Sequence, residues 1–117
     1  MTFYANITSI DTPYPRRSQV NHEITYNFTG KTVLITGASS GLGEQFSRIF
    51  SQTGARVILA ARRLEKLKAL SRTLDNALAI QLDVSDESSV THCFTQLEQM
   101  NEKIDVCINN AGIRELT

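Results

Sequence analysis

Thr32-Val33-Leu34-Ile35-Thr36-Gly37-Ala38-Ser39-Ser40-Gly41-Leu42-Gly43 is the stretch that decides how this chain folds. An aliphatic, β-branched run enters a glycine-rich turn, and an amphipathic segment opens directly behind it. That order, strand then turn then helix, aims backbone amides outward from a helix N-terminus, where unpaired N–H groups and the helix dipole favour an anion. Gly37 permits the tight turn, Gly41 lets a phosphate approach the backbone, and Gly43 lets helix and strand pack closely. The hydroxyls of Ser39 and Ser40 are candidate donors to phosphate or ribose oxygens. The Gly-Lys-Ser/Thr ending of a nucleoside triphosphate loop is missing, which argues against that class of site.

Outward from the turn, short apolar runs alternate with amphipathic segments, the pattern of βα units and a parallel sheet. After the first strand, Thr32 to Thr36, the reading places strands at Arg56 to Ala60, Ala77 to Leu82 and Ile104 to Asn109. Between them, three helical faces are formed by Leu42, Phe46, Ile49 and Phe50, by Leu64, Leu67 and Leu74, and by Val90, Cys93, Phe94 and Leu97. Gly54 stands where a left-handed residue ends the first helix, and Ser85, Asp86 and Glu87 favour the start of the third. The expectation is an α/β, Rossmann-like, doubly wound parallel sheet, partial, with strands in the order 3-2-1-4 and three helices. The first two helices would cover one face and the third the other, which is expected to be half bare. The fourth strand would then be an exposed apolar edge, open to self-association or to pairing with another chain.

Residues 1–28 carry Pro13, Pro15 and the pair Arg16-Arg17 without helical or strand period, and read as an extended leader to the nucleotide-binding unit at 29–117. With 117 residues the chain is one domain at most. Twelve basic and twelve acidic residues give no net formal charge, so no general attraction to nucleic acid or to an anionic membrane is expected, and anion binding has to come from a local site. Cys93 and Cys107 read as free apolar thiols rather than a disulfide framework. No run approaches the ~20 apolar residues of a membrane span, and no signal peptide is evident, so a cytoplasmic protein is expected. Asn6-Ile7-Thr8 and Asn27-Phe28-Thr29 match the glycosylation pattern and are read as chance matches.

Two further motifs complete a pattern. Leu82-Asp83-Val84 follows the third strand and Asn109-Asn110-Ala111-Gly112 follows the fourth. Together with Thr-Gly-x-x-x-Gly-x-Gly at 36–43, they resemble the short-chain dehydrogenase/reductase family across roughly residues 28 to 114. The resemblance implies a dinucleotide cofactor bound by Gly37, Ser39, Ser40, Gly41, Leu42 and Gly43, with Asp83 and Val84 at the adenine. Asp83 would accept from the adenine amino group and the Val84 amide would donate to a ring nitrogen, although the carboxylate also suits a local loop cap. Asn110, Ala111 and Gly112 are expected beside the nicotinamide-side ribose, and the asparagines also suit a tie between strand ends.

The end of the second strand chooses the cofactor. An acidic residue there would grip the ribose 2′-hydroxyl of NAD, but the chain reads Ala61-Arg62-Arg63. A guanidinium pairs with a 2′-phosphate and lies against adenine, and two cations before a helix imply a compensating anion. Solvation of the helix start is the alternative reading. NADP(H) is favoured over NAD(H).

Family members use a Tyr-x-x-x-Lys pair for acid/base chemistry, with a serine and an upstream asparagine, in the half beyond the Asn-Asn-Ala-Gly motif. Tyr4, Tyr14 and Tyr26 all precede the glycine turn and are followed, four places on, by Thr8, Ser18 and Gly30. His22 and His92 read as structural, and no metal-ligand spacing appears. No catalytic residue is assigned. The chain is therefore read as the N-terminal fragment of an NADP(H)-dependent oxidoreductase that transfers hydride to or from a carbonyl or alcohol, inactive by itself. A non-enzymatic NADP(H)-binding module and an inactive relic are the alternatives.

Overall fold

The computed structural model describes residues 3–5 and 27–110. Each strand run predicted from the glycine turn outward is realised. The elements are β1 Phe3–Ala5, β2 Thr32–Thr36, α1 Gly41–Gln52, β3 Arg56–Ala61, α2 Leu64–Ser71, β4 Ala77–Gln81, α3 Glu87–Gln99 and β5 Val106–Asn109. The sheet among the described residues is parallel throughout, in the order β1-β5-β2-β3-β4. The predicted 3-2-1-4 arrangement is its β4-β3-β2-β5 part.

Alternation along the strands divides the core. Val33, Ile35, Val57, Leu59 and Ile108 face Phe46 and Phe50 of α1 and Leu67 and Leu70 of α2. Leu34, Ile58, Ala60, Ile80 and Cys107 face Cys93 and Leu97 of α3. Strands sandwiched in this way are apolar on both faces, which is why β2 and β3 read as unbroken aliphatic runs. Burying each Leu, Ile or Phe contributes roughly 1.5–3 kcal/mol, so these strands and three helical stripes are the main stabilising term.

Four expectations need correction. The α3 face is not half bare at the described strands: Leu34 and Ile58 are fully buried and Cys107 is 6% exposed. The edge of β5 is not open, because Phe3–Ala5 lies along it in the register Phe3↔Val106, Tyr4↔Cys107, Ala5↔Ile108. A strand this short, inside a proline-bearing leader, leaves no period to detect. Leu74 lies beyond α2, which ends at Ser71, and Leu70 takes the buried position. Phe94, assigned to the apolar stripe of α3, is 43% exposed, because Cys93 and Leu97 already fill the four-residue spacing against the sheet.

Loop geometry fixes the element ends. Gly54, at φ 91°, follows the C-cap of α1 in the left-handed region that suits glycine. Asp86 caps α3 by accepting from the Ser88 amide at 3.0 Å. At the N-terminal ends of the strands, Arg56 donates to Glu102 through Nε and Nη2 and to Asn76 through Nη1. The hydrogen bonds to Glu102 hold this guanidinium above its ordinary pKa. The opposite, C-terminal rim of the sheet is thereby left for loops that begin at Thr36, Ala61, Gln81 and Asn109.

Candidate cofactor site

All the predicted site residues that fall within the described region gather at that C-terminal rim, where ligands of open α/β sheets bind. The turn after β2 is built around three glycines with three different jobs. Gly37 has φ 64°, a conformation that strains any residue carrying a Cβ. At Gly43 a Cβ would overlap the Gly37 carbonyl oxygen and lie 2.8 Å from Ala38 Cα and 2.9 Å from Asn110 Nδ2. At Gly41 a Cβ would meet nothing within 4 Å. Gly43 therefore closes the joint between helix and strand, while Gly41 leaves its outer side open.

Ser40 is the N-cap of α1. Its hydroxyl accepts from the Gly43 amide at 3.0 Å and donates to the Gly37 carbonyl at 2.9 Å. Asn110, 2% exposed, adds Nδ2 contacts of 3.0 Å to both Gly37 O and Ser40 Oγ. Beside it, Thr36 Oγ1 donates to Asn109 Oδ1 at 3.1 Å. Two of the candidate contacts thus turn inward: Ser40 and Asn110 shape the loop with their polar side-chain atoms. Ser39 keeps its hydroxyl without a partner among the described residues. The amides of Gly41 and Leu42 lie in the first turn of α1, where no intrahelical acceptor exists.

Across the rim, Arg62 and Arg63 are exposed. Arg63 is the N-cap of α2 and makes no side-chain cap. Gln81 Nε2 donates to the Arg62 carbonyl at 3.2 Å, fixing this loop to the end of β4. Asp83 faces the same space. Its Oδ1 accepts from Ser85 Oγ at 2.6 Å and Ser85 N at 3.0 Å, and its amide donates to Ser89 Oγ at 2.9 Å. The Ser85 hydroxyl, then the Ser85 amide and the charge of Arg62 hold the Asp83 carboxyl below the usual carboxylate range.

The local loop cap weighed for Asp83 is therefore present, but it occupies one oxygen. Oδ2 and the Val84 amide have no partner among the described residues, which leaves an acceptor and a donor on consecutive residues of this loop. Ser89, which positions Asp83, carried no signal in the sequence because its role depends on where α3 begins. Ala111 and Gly112 lie outside the described residues. No group of metal-ligating side chains is found among the described residues, and no helix there is long and apolar enough to cross a membrane.

Comparison with known proteins bears out the family resemblance and the fold. The family model described as short chain dehydrogenase matches residues 31–117. A Drosophila melanogaster dehydrogenase/reductase SDR family protein 7-like is 41% identical over 72% of this chain and 28% of its own length. An NADP-dependent 3-hydroxy acid dehydrogenase of Salmonella typhi is 42% identical over 69% of this chain and 33% of its own. A metagenomic short-chain oxidoreductase solved with NADP superposes with a TM-score of 0.66 at 32% identity, over 71% of this chain and 39% of that one. L-Sorbose reductase from Gluconobacter frateurii, complexed with NADPH and L-sorbose, gives 0.69 at 27% identity, over 74% and 35%. The chain spans about a third of the length of the curated relatives that it matches.

Proposed function

Because the chain belongs to the short-chain dehydrogenase/reductase family, we propose that residues 29–117 are the cofactor-holding part of an oxidoreductase and bind NADP(H) in preference to NAD(H). The observation that carries the reading is the rim itself. An open-sided Gly41 at the first turn of α1 stands at one loop, an exposed Arg62 at the second, and Asp83, whose carboxylate feels the charge of Arg62, at the third.

The residues present fit such a group. The pyrophosphate belongs at the Gly41 and Leu42 amides, where a Cβ at position 41 would otherwise intrude, with the Ser39 hydroxyl as an additional donor. Asp83 Oδ2 and the Val84 amide form an acceptor and donor pair suited to the adenine edge. Arg62 and Arg63 supply positive charge where the 2′-phosphate would sit, at an α2 N-terminus without a side-chain cap. Ser40 and Asn110 hold the loop in shape, while Ala111 and Gly112 are assigned to the nicotinamide-side ribose by the family motif. In the whole protein the bound nicotinamide supplies or accepts the hydride exchanged with a carbonyl or alcohol. The chain's own residues bind and orient it. The Tyr-x-x-x-Lys acid/base pair of the family is not among these 117 residues.

Two relatives favour the phosphorylated cofactor: the Salmonella dehydrogenase is described as NADP-dependent, and the L-sorbose reductase was solved with NADPH. Calorimetric titration with NADPH and NADH, repeated on Arg62→Ala, tests the proposal. Saturable binding, tighter for NADPH and selectively weakened for NADPH in the variant, is the expected result. Tighter binding of NADH, or an Arg62→Ala variant that binds both as before, would overturn the preference.

A further inference from the structure

Among the described residues, Asp83 is held at every polar atom but Oδ2. Its amide donates to Ser89 Oγ at 2.9 Å, its carbonyl accepts from the Asp86 amide at 3.1 Å, and Oδ1 accepts from Ser85 Oγ and Ser85 N. The residue before it is pinned as well, since the Leu82 amide donates to the Ala61 carbonyl at 2.9 Å where β3 ends. A loop cap needs only the turn that Ser85 closes. The bond to Ser89 does something else: it ties the Asp83 amide to a half-buried side chain in the first turn of α3. Peptide units are planar, so this bond fixes the plane that enters Asp83. The bond from the Asp86 amide fixes the plane that leaves it, and that second plane carries the Val84 N–H.

We propose that Ser89 is a positioning residue: by holding the Asp83 amide it fixes the directions in which Asp83 Oδ2 and the Val84 amide are presented, and so makes this loop selective for the base of the dinucleotide. The inference rests on the adenine contact proposed for these two residues. Adenine offers an exocyclic amino donor to Oδ2 and an adjacent ring-nitrogen acceptor to the Val84 amide. Hypoxanthine reverses both, with a carbonyl in place of the amino group and an N–H at the ring nitrogen. An acceptor and a donor fixed in direction reject that base, whereas a loop free to turn adapts to either.

The test is calorimetric titration of the 117-residue chain with NADPH and with its deaminated analogue, reduced nicotinamide hypoxanthine dinucleotide phosphate. The unaltered chain should favour NADPH by about 10- to 100-fold, the worth of a hydrogen bond to a charged group. In Ser89→Ala that ratio should fall towards unity while the preference for NADPH over NADH persists, because Arg62 stands on another loop. Ser89→Thr keeps a hydroxyl and should restore the ratio. A residue that only stabilised α3 would lower both affinities together and leave the ratio unmoved. Hydrogen exchange in the unaltered chain provides a second reading that needs no variant: the Asp83 amide should be protected and the Val84 amide should not. An Ser89→Ala ratio equal to that of the unaltered chain, a ratio that Ser89→Thr fails to restore, or an Asp83 amide that exchanges as fast as that of Val84 would overturn the role of Ser89 and leave the dinucleotide reading standing. An unaltered chain that does not distinguish the two bases would overturn the adenine contact itself, and this role with it.

Discussion

Asn110 reaches from the end of β5 to Ser40 at the start of α1, with Nδ2 3.0 Å from Ser40 Oγ and 3.0 Å from Gly37 O. A side chain 2% exposed thereby sets the glycine turn from behind while the outer side of Gly41 stays clear. The same asparagine packs where any Cβ at position 43 would fall. Motif residues seventy positions apart in sequence form one joint.

Asn110→Ala removes both contacts from a buried position. Loss of buried hydrogen bonds costs about 1–3 kcal/mol, read as a lower midpoint in urea unfolding. An unchanged midpoint would mean that the joint is dispensable.

The two glycines should separate stability from binding. Gly43→Ala forces a methyl against the Gly37 carbonyl, and overpacking of this kind typically costs 1–3 kcal/mol. Gly41→Ala should leave the unfolding midpoint little changed, because a Cβ there meets nothing within 4 Å, yet weaken NADPH by crowding the open side. Thermal unfolding and titration of both variants check this. Equal destabilisation by the two changes would contradict it.

Arg62→Ala should weaken NADPH by about 1.5–3 kcal/mol, roughly 10- to 100-fold, the worth of one charge-assisted contact. NADH affinity should stay within about twofold, since removing one exposed side chain leaves its other contacts in place. Titration calorimetry reads both.

Burial pushes the thiols of Cys93 and Cys107 up from their ordinary values. The folded chain therefore retains these protons at pH values where the unfolded chain has released them. The stability this contributes is complete below the unfolded value of about 8.5 and declines as pH rises through it towards the folded values. Urea unfolding between pH 7 and 10 should show that decline, and Cys93→Ala with Cys107→Ala should flatten it. An identical slope in the double variant would assign the decline to other groups.

The four strands of the nucleotide unit were legible because β2 and β3 are buried on both faces and announce themselves as aliphatic runs, with Gly37 and Gly54 marking the turns. The predicted ends differ by at most two residues, as at β5, where Ile104 precedes a strand that begins at Val106. Helical stripes were less secure: the four-residue spacing of Cys93 and Leu97 finds the core, whereas Phe94 fits the same period and points outward. The motif residues were found, but not the direction of their side chains. Ser40 and Asn110 turn inward because a buried carbonyl and a helix cap need partners, and those needs appear only once β2, α1 and β5 meet. Phe3–Ala5 was hidden for a different reason: three residues carry no period, and their pairing with β5 is a contact across nearly the whole chain.

The most direct test is to titrate the isotope-labelled 117-residue chain with NADP⁺ and follow backbone amide shifts by NMR. The account predicts saturable shifts concentrated at Gly37 to Gly43, at Arg62 and Arg63, and at Asp83 and Val84, with the strand N-termini around Arg56 and Glu102 unmoved. A folded chain whose rim amides do not respond, or respond only away from these three loops, would contradict it.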